Sequence, residues 1–286
     1  MNILHSVADM HRYADRIHGR GQRIGFVPTM GFLHEGHVSL MRIARQQADV
    51  LVVSIFINPT QFGPGEDFEK YPRDFERDRS MVAAAGADCL YYPDVSEMYP
   101  PGYQTMVCVH DVTRNLCGLS RPTHFEGVAT VVAKLFNAVK PQCAVFGQKD
   151  FQQLVVIKRM VKDLNMDIDI IGAPIVREAD GIAMSSRNKY LGPAEREAAR
   201  CLSRALDAAC KNVQAGERSV RFLIDLARDI ISAESLGRID YIKVCDTETL
   251  QDVESLEREA VMAVAVFFEK ARLIDNAILR LDGRNA

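Results

Sequence analysis

The sequence predicts an α/β protein: a Rossmann-like parallel-sheet domain over residues 1–180, followed by a smaller C-terminal α+β domain over 181–286. Three observations carry this expectation. Short apolar runs alternate with helical patterns through the first half, as βαβ units require. After about residue 180 the chain turns to charged, Ala- and Leu-rich helical segments and then to strand-like apolar runs. A length of 286 residues also suffices for two cores without covalent staples.

In chain order, RIGFVPT (23–29) reads as a buried strand, followed by a turn at Gly31 and an amphipathic helix with Val38, Leu40, Met41, Ile43 and Ala44 on its apolar side. DVLVVSIFI (49–57) is a second strand. RDFERDRSMVAAAG (73–86) is a helix ending on Gly, and CLYYP (89–93) is the strand after it. Phe125 to Val139 reads as an apolar helix, CAVFG (143–147) as a strand and Phe151 to Leu164 as a helix, giving at least four parallel strands. Beyond 180, the segments 193–214 and 218–234 read as helices. IDYIKVC (239–245), AVMAVAVFF (260–268) and ARLIDNAIL (271–279) read as a small antiparallel sheet.

The composition is 48% apolar and 26% charged with a net charge of −3, which describes a globular chain without the basic footprint of a nucleic-acid binder. Seven cysteines occur without a C-x-x-C pair, as expected of reduced thiols in the cytosol. The N-terminal segment shows no signal-peptide pattern. The longest uncharged run, after Asp49, is broken by Asn58, Pro59, Gln61, Gly63 and Pro64, so no membrane segment is expected.

Three constellations carry chemistry. In PTMGFLHEGHVSL (28–40) a strand enters a Gly turn and then a helix whose first turn bears His34 and His37. Spaced by three, they lie on one face, where free N–H groups and the positive end of the helix dipole suit a phosphate. The segment lacks the G-K-[ST] of a Walker loop and G-x-G-x-x-G, and no third ligand suggests zinc. In GQKDFQQL (147–154), at the carboxyl end of a strand, Lys149 is suited to phosphate charge and Gln153 to a hydroxyl or carboxylate. In GIAMSSRNKYL (181–191), Ser185, Ser186 and Arg187 are placed to grip the far phosphates of a nucleotide. Taken singly, the Lys-Asp pair is an ordinary solvated cap and S-S-R an ordinary polar loop; their combination with H-x-G-H gives them weight.

That combination resembles the nucleotidyltransferase superfamily. Within it PTMGFLHEGHVSL, SIFINPTQFGPGED, FGQKDFQQL and MSSRN, in that order, closely resemble the pantothenate synthetase family, and the resemblance covers nearly the whole chain. It implies an AMP-forming ligase that joins pantoate to β-alanine at the expense of ATP, with Mg²⁺ as cofactor, through a pantoyl adenylate, and it implies a homodimer. His37, His34 and Lys149 would be catalytic, with His37 the principal donor. ATP would be bordered by Met30, His34, His37, Gly147, Lys149, Asp150, Val176, Met184, Ser185, Ser186 and Arg187. Gln61 and Gln153 would hold pantoate and β-alanine. The Mg²⁺ ligands are not identified by sequence; Asp74, Asp78 and Asp150 are candidates. The segment QFGPGEDFEKYP (61–72) is expected to close over the adenylate. Two alternatives share H-x-G-H: a superfamily enzyme adenylating a different small acid, and a tRNA-synthetase-like RNA binder, which the acidic balance and modest length disfavour.

Overall fold

The computed structural model describes residues 1–269 and 271–281. Two compact units form. The first comprises Met1–Thr113, Cys117–Gln148 and Gln153–Pro174; the second comprises Arg114–Leu116, Lys149–Gln152 and the chain from Ile175 on.

The first unit runs β1 (Asn2–Leu4), α1 (Val7–His18), β2 (Ile24–Thr29), α2 (Glu35–Gln47), β3 (Val50–Ile55), α3 (Phe75–Ala84), β4 (Cys89–Tyr91), the short helices α4 (Val95–Met98) and α5 (Cys117–Ser120), α6 (His124–Val139), β5 (Cys143–Gly147), α7 (Phe151–Asp163) and β6 (Asp169–Ala173). The strands form one sheet in the order β1-β4-β3-β2-β5-β6, and every pairing is parallel. Alternation along β3 explains why it reads as an unbroken apolar run. Val50 and Val52 face a core built with α1, α6 and α7, whereas Leu51, Val53 and Ile55 face one built with α2 and α3.

The expected strands at 23–29, 49–57, 89–93 and 143–147 are all present, and the sheet gains β1 and β6 at its two edges. Both are short, and β6 is half-exposed, so neither leaves a long apolar run in the sequence. The chain steps from β2 through β3 to β4 on one side of the sheet, then returns to place β5 on the other side of β2. The reversal falls between β2 and β5, and the carboxyl ends of the strands at such a point are where open parallel sheets take their ligands.

The second unit holds α8 (Pro193–Ala199), α9 (Cys201–Gln214) and α10 (Val220–Ser232). Its antiparallel sheet is β7 (Gly237–Asp246), β8 (Ala260–Phe268) and β9 (Ala271–Leu279), in that order. The segment expected as one helix over 193–214 divides at Arg200, whose N–H turns to Glu197 O, three residues back, at 3.3 Å. Leu202, Leu206, Leu223 and Ile231 from the helices meet Met262, Val264 and Val266 of β8 in one core. Residues 149–152, which include the first two residues of α7, belong to this unit through directed bonds. Asn276 Nδ2 donates to Lys149 O at 2.9 Å and Gln152 Nε2 donates to Asn115 O at 2.8 Å; Asn115 in turn donates to Leu250 O at 2.9 Å. Among the described residues no helix is long and apolar enough to cross a membrane.

Candidate active site

At the end of β2 the chain must turn sharply to enter α2. Gly31 adopts φ +82° and Phe32 φ +48°; the first is free to glycine, the second is a conformation that a residue with a side chain holds only when its surroundings impose it. The imposing group is Asp78 on the first turn of α3, only 2% exposed, whose carboxylate accepts from Phe32 N at 2.6 Å and Leu33 N at 2.8 Å. Burial pushes the Asp78 carboxyl above its usual range, with these N–H bonds working in the opposite direction.

His34 is the N-cap of α2. Its backbone N–H donates to Nδ1 of His37 at 3.3 Å, and the two ring centroids are 4.1 Å apart. A backbone N–H only donates, so Nδ1 of His37 is the acceptor and the ring proton sits on Nε2. The expected cradle of free N–H groups at this helix end is narrowed. The N–H groups of Phe32, Leu33 and His34 are committed within the protein, and His37 N bonds to His34 O at 2.8 Å, which confines the remaining donors of the first turn to Glu35 and Gly36.

Gln61 closes a short 3₁₀ turn, Pro59–Gln61, after β3 and is 8% exposed. Its amide is oriented from both ends: Oε1 accepts from Asn58 Nδ2 at 3.2 Å, and Nε2 donates to Met30 Sδ at 2.9 Å. Asn58, 1% exposed, is saturated. Its Nδ2 also donates to Gly127 O at 3.1 Å, and its Oδ1 accepts from Thr60 Oγ1 at 3.0 Å and from Tyr99 OH at 2.8 Å. Gly127 is required here, since a Cβ would lie 2.4 Å from Thr60 O and push α6 off the turn. Met30, His34, His37 and Gln61 therefore stand at the carboxyl end of β2 and β3, and Gly147 ends the neighbouring β5. Gln153 is half-buried on the first turn of α7.

The loop after Gln61 is folded upon itself. Phe62 packs edge-on against Phe68 and Tyr71, with centroids 5.3 and 5.8 Å apart, and Arg121 binds Glu66 through two bonds of 2.6 Å. Arg121 also reaches Gln61 O at 3.2 Å, and His124 Nδ1 lies 2.8 Å from the same carbonyl.

In the second unit, Lys149 and Ser185 line one cleft with Ile182, Ala183, Asn188 and Asp275. Lys149 Nζ lies 3.6 Å from Asp150, and the buried Asp275 is held by two bonds from Arg177, of 2.6 and 3.1 Å. The strip leading to the S-S-R turn is a small ladder in which Met184 N donates to Val176 O at 2.9 Å and Arg177 pairs with Ala183. Ser185 caps the following 3₁₀ turn by accepting from Arg187 N, Ser186 is buried and Arg187 is half-buried. Asn188 ties the turn down by donating to Glu178 at 2.6 Å and to Ala183 O at 3.1 Å.

In the sequence Asn58 shows no evident role, and Asp78 is only a candidate metal ligand. Both act on backbone or amide groups brought near by the fold, and only the I-N-P-T-Q spacing hinted at the first. Asp74, another metal candidate, caps α3 by accepting from Arg77 N at 3.2 Å.

The comparisons with known proteins agree with one another. The family profile for pantoate–β-alanine ligase matches residues 2–278. The pantothenate synthetase of Syntrophus aciditrophicus is 56% identical over 278 residues, 97% of each chain, and that of Geobacter sulfurreducens is 56% identical over 279 residues, 98% of this chain and 99% of the relative. Among solved structures, pantothenate synthetase from Thermus thermophilus superposes with a TM-score of 0.92 at 45% identity, covering 97% of this chain and 99% of that one. The pantoate–β-alanine ligase of Francisella tularensis, complexed with β,γ-ATP and β-alanine, gives 0.79 at 33% identity over 97% of each. By profile, sequence and fold alike, the chain belongs to the pantoate–β-alanine ligase family.

Proposed function

We propose that this chain condenses pantoate with β-alanine, converting ATP to AMP and pyrophosphate through a pantoyl adenylate. The observation that carries the reading is the Gln61 amide, fixed by Asn58 and set against Met30 at the strand ends that also carry His34 and His37. A neutral amide orients a hydroxy acid without binding its attacking carboxylate in an ion pair. Family membership and the Francisella ligase's complex with β,γ-ATP and β-alanine support the substrates.

In the first step a carboxylate oxygen of pantoate attacks the α-phosphorus of ATP, and the bond to pyrophosphate breaks. The carboxylate is ionised at neutral pH and needs no base. The barrier is the approach of two anions and the charge that spreads over the phosphates. His37 offers Nε2–H to that charge, with His34 beside it; Lys149, Ser185, Ser186 and Arg187 supply further cationic and hydroxyl donors. In the second step the free amine of β-alanine attacks the acyl carbon, the bond to AMP breaks, and the amine's extra proton leaves to solvent. Gln61 and Gln153 hold the acid and then the adenylate.

Mg²⁺, when bound with ATP, would supply neutralisation of the phosphate charge. Among the described residues no group of three or more His, Cys, Asp or Glu is placed to hold a metal ion. A homodimer and a cytoplasmic location follow the family resemblance, and sedimentation tests the first. Incubation with ATP, Mg²⁺, pantoate and β-alanine should yield AMP, pyrophosphate and pantothenate in equal amounts; ADP as product would refute the scheme.

A further inference from the structure

Asp78 takes no part in the chemistry proposed above, yet its carboxylate fills the hollow of the turn that carries His34 and His37. A Cβ on Gly31 would come within 3.0 Å of Asp78 Oδ2. Three successive N–H groups are then disposed in order: Phe32 and Leu33 point at Asp78, at 2.6 and 2.8 Å, and His34 points at Nδ1 of His37, at 3.3 Å. Arg77, the preceding residue of the same helix, completes the clamp. Its guanidinium lies over the Phe32 ring, 5.1 Å from the centroid, and 3.8 Å from Asp78 Oδ1.

We propose that Asp78 is a positioning residue, which by holding the N–H groups of Phe32 and Leu33 aims the His34 N–H at His37 Nδ1 and so keeps His37 in the neutral tautomer with its proton on Nε2. The turn does not hold this shape by itself, because Phe32 sits at φ +48°. Rotation of the Phe32–Leu33 peptide units carries the His34 N–H with it, and without that donor the imidazole can place its proton on Nδ1 instead. An ionised carboxylate suits the task because it only accepts, and two donors converge on it. An amide in the same place opposes one of the two N–H groups with its own NH₂. This inference deepens the proposed function, since it rests on His37 offering Nε2–H to the phosphates.

The test uses the full chain labelled with ¹⁵N-histidine. Two-bond ¹H–¹⁵N spectra identify which ring nitrogen of His37 carries the proton, with His37→Gln providing the assignment. Wild type should show the Nε2–H tautomer alone. Asp78→Asn should show both tautomers and lose about 10–100-fold in pantoate-dependent exchange of pyrophosphate into ATP, with KM for ATP changed less than about 3-fold. A folded Asp78→Asn with unchanged ring signals and unchanged exchange overturns the proposal. So does a wild-type His37 protonated on Nδ1, or rapid solvent exchange of the Phe32 and Leu33 amides, both of which are read without any variant at Asp78. If exchange is absent in wild type while the ring signals still shift in Asp78→Asn, the reaction scheme fails and the positioning role stands.

Discussion

The backbone N–H of His34 donates to Nδ1 of His37 at 3.3 Å, which leaves Nε2 as the donor edge of the ring. On the proposed reading the ring donates to the phosphates through Nε2. His37→Ala should lower kcat by roughly 10²–10³ while leaving ATP affinity within a few-fold, because the interaction strengthens as phosphate charge develops. His37→Gln, whose amide nitrogen reaches the place of Nε2, should recover part of the loss, whereas His37→Asn should not. Steady-state kinetics with each substrate varied separately checks this. A collapse of ATP affinity at near wild-type kcat would make His37 a ground-state binding residue.

Asn58 should matter to pantoate although it is buried beneath Gln61. Asn58→Ala removes the donor that fixes Gln61 Oε1 and leaves Tyr99 OH, Thr60 and Gly127 O short of a partner, which costs about 1–3 kcal/mol of stability. The pantoate KM should rise roughly 10-fold, with the ATP KM changed much less. Gln61→Ala should raise the pantoate KM without the stability loss. Thermal unfolding and separate substrate titrations distinguish the two variants.

Lys149→Ala should suppress adenylate formation by about 10²-fold or more, since a neutral side chain does not offset two approaching anions. Gln153→Ala should weaken pantoate more than ATP. Equal losses for both substrates in both variants would show that the division between phosphate-binding and pantoate-binding residues is misplaced.

The loop over 61–72 should behave as a latched cover. Arg121 is its anchor through Glu66 and Gln61 O, so Arg121→Ala should raise pantoate-dependent AMP release without β-alanine several-fold, as water reaches the adenylate. Burial pushes the Glu66 carboxyl up, but the hydrogen bonds and charge of Arg121 outweigh it and leave the group below its ordinary value of 4.5. A carboxylate whose folded value is depressed contributes stability above its unfolded value and loses it as pH falls through the folded one. Glu66→Gln should therefore melt below wild type at pH 7, and the gap should close as the pH falls below that ordinary value. A gap that is constant with pH, or unchanged leakage in a folded Arg121→Ala, contradicts the latch.

What was legible in the sequence follows from where each signal is stored. The central strands announce themselves because both faces are buried, so β3 and β5 are continuous apolar runs. Edge strands β1 and β6 are short and partly exposed, and they leave little trace. His34 and His37 were visible because H-x-G-H after a strand and a Gly turn is local. The bonding of Asp78 is not, since its N–H partners lie 45 and 46 residues earlier in the chain. The same holds for the saturation of Asn58, whose partners include Tyr99 and Gly127. The N–H cradle expected at the start of α2 is narrowed to Glu35 and Gly36, because donors that look unsatisfied along a sequence find acceptors in three dimensions.

The most direct test of the account is isotope exchange. With enzyme, ATP, Mg²⁺ and pantoate, and with β-alanine omitted, labelled pyrophosphate should pass into ATP, because the first step is complete and reversible before an amine is required. His37→Ala and Lys149→Ala should suppress that exchange in proportion to overall turnover. Exchange that appears only when β-alanine is added, or label that instead passes from phosphate and ADP into ATP, would contradict the adenylate as the intermediate.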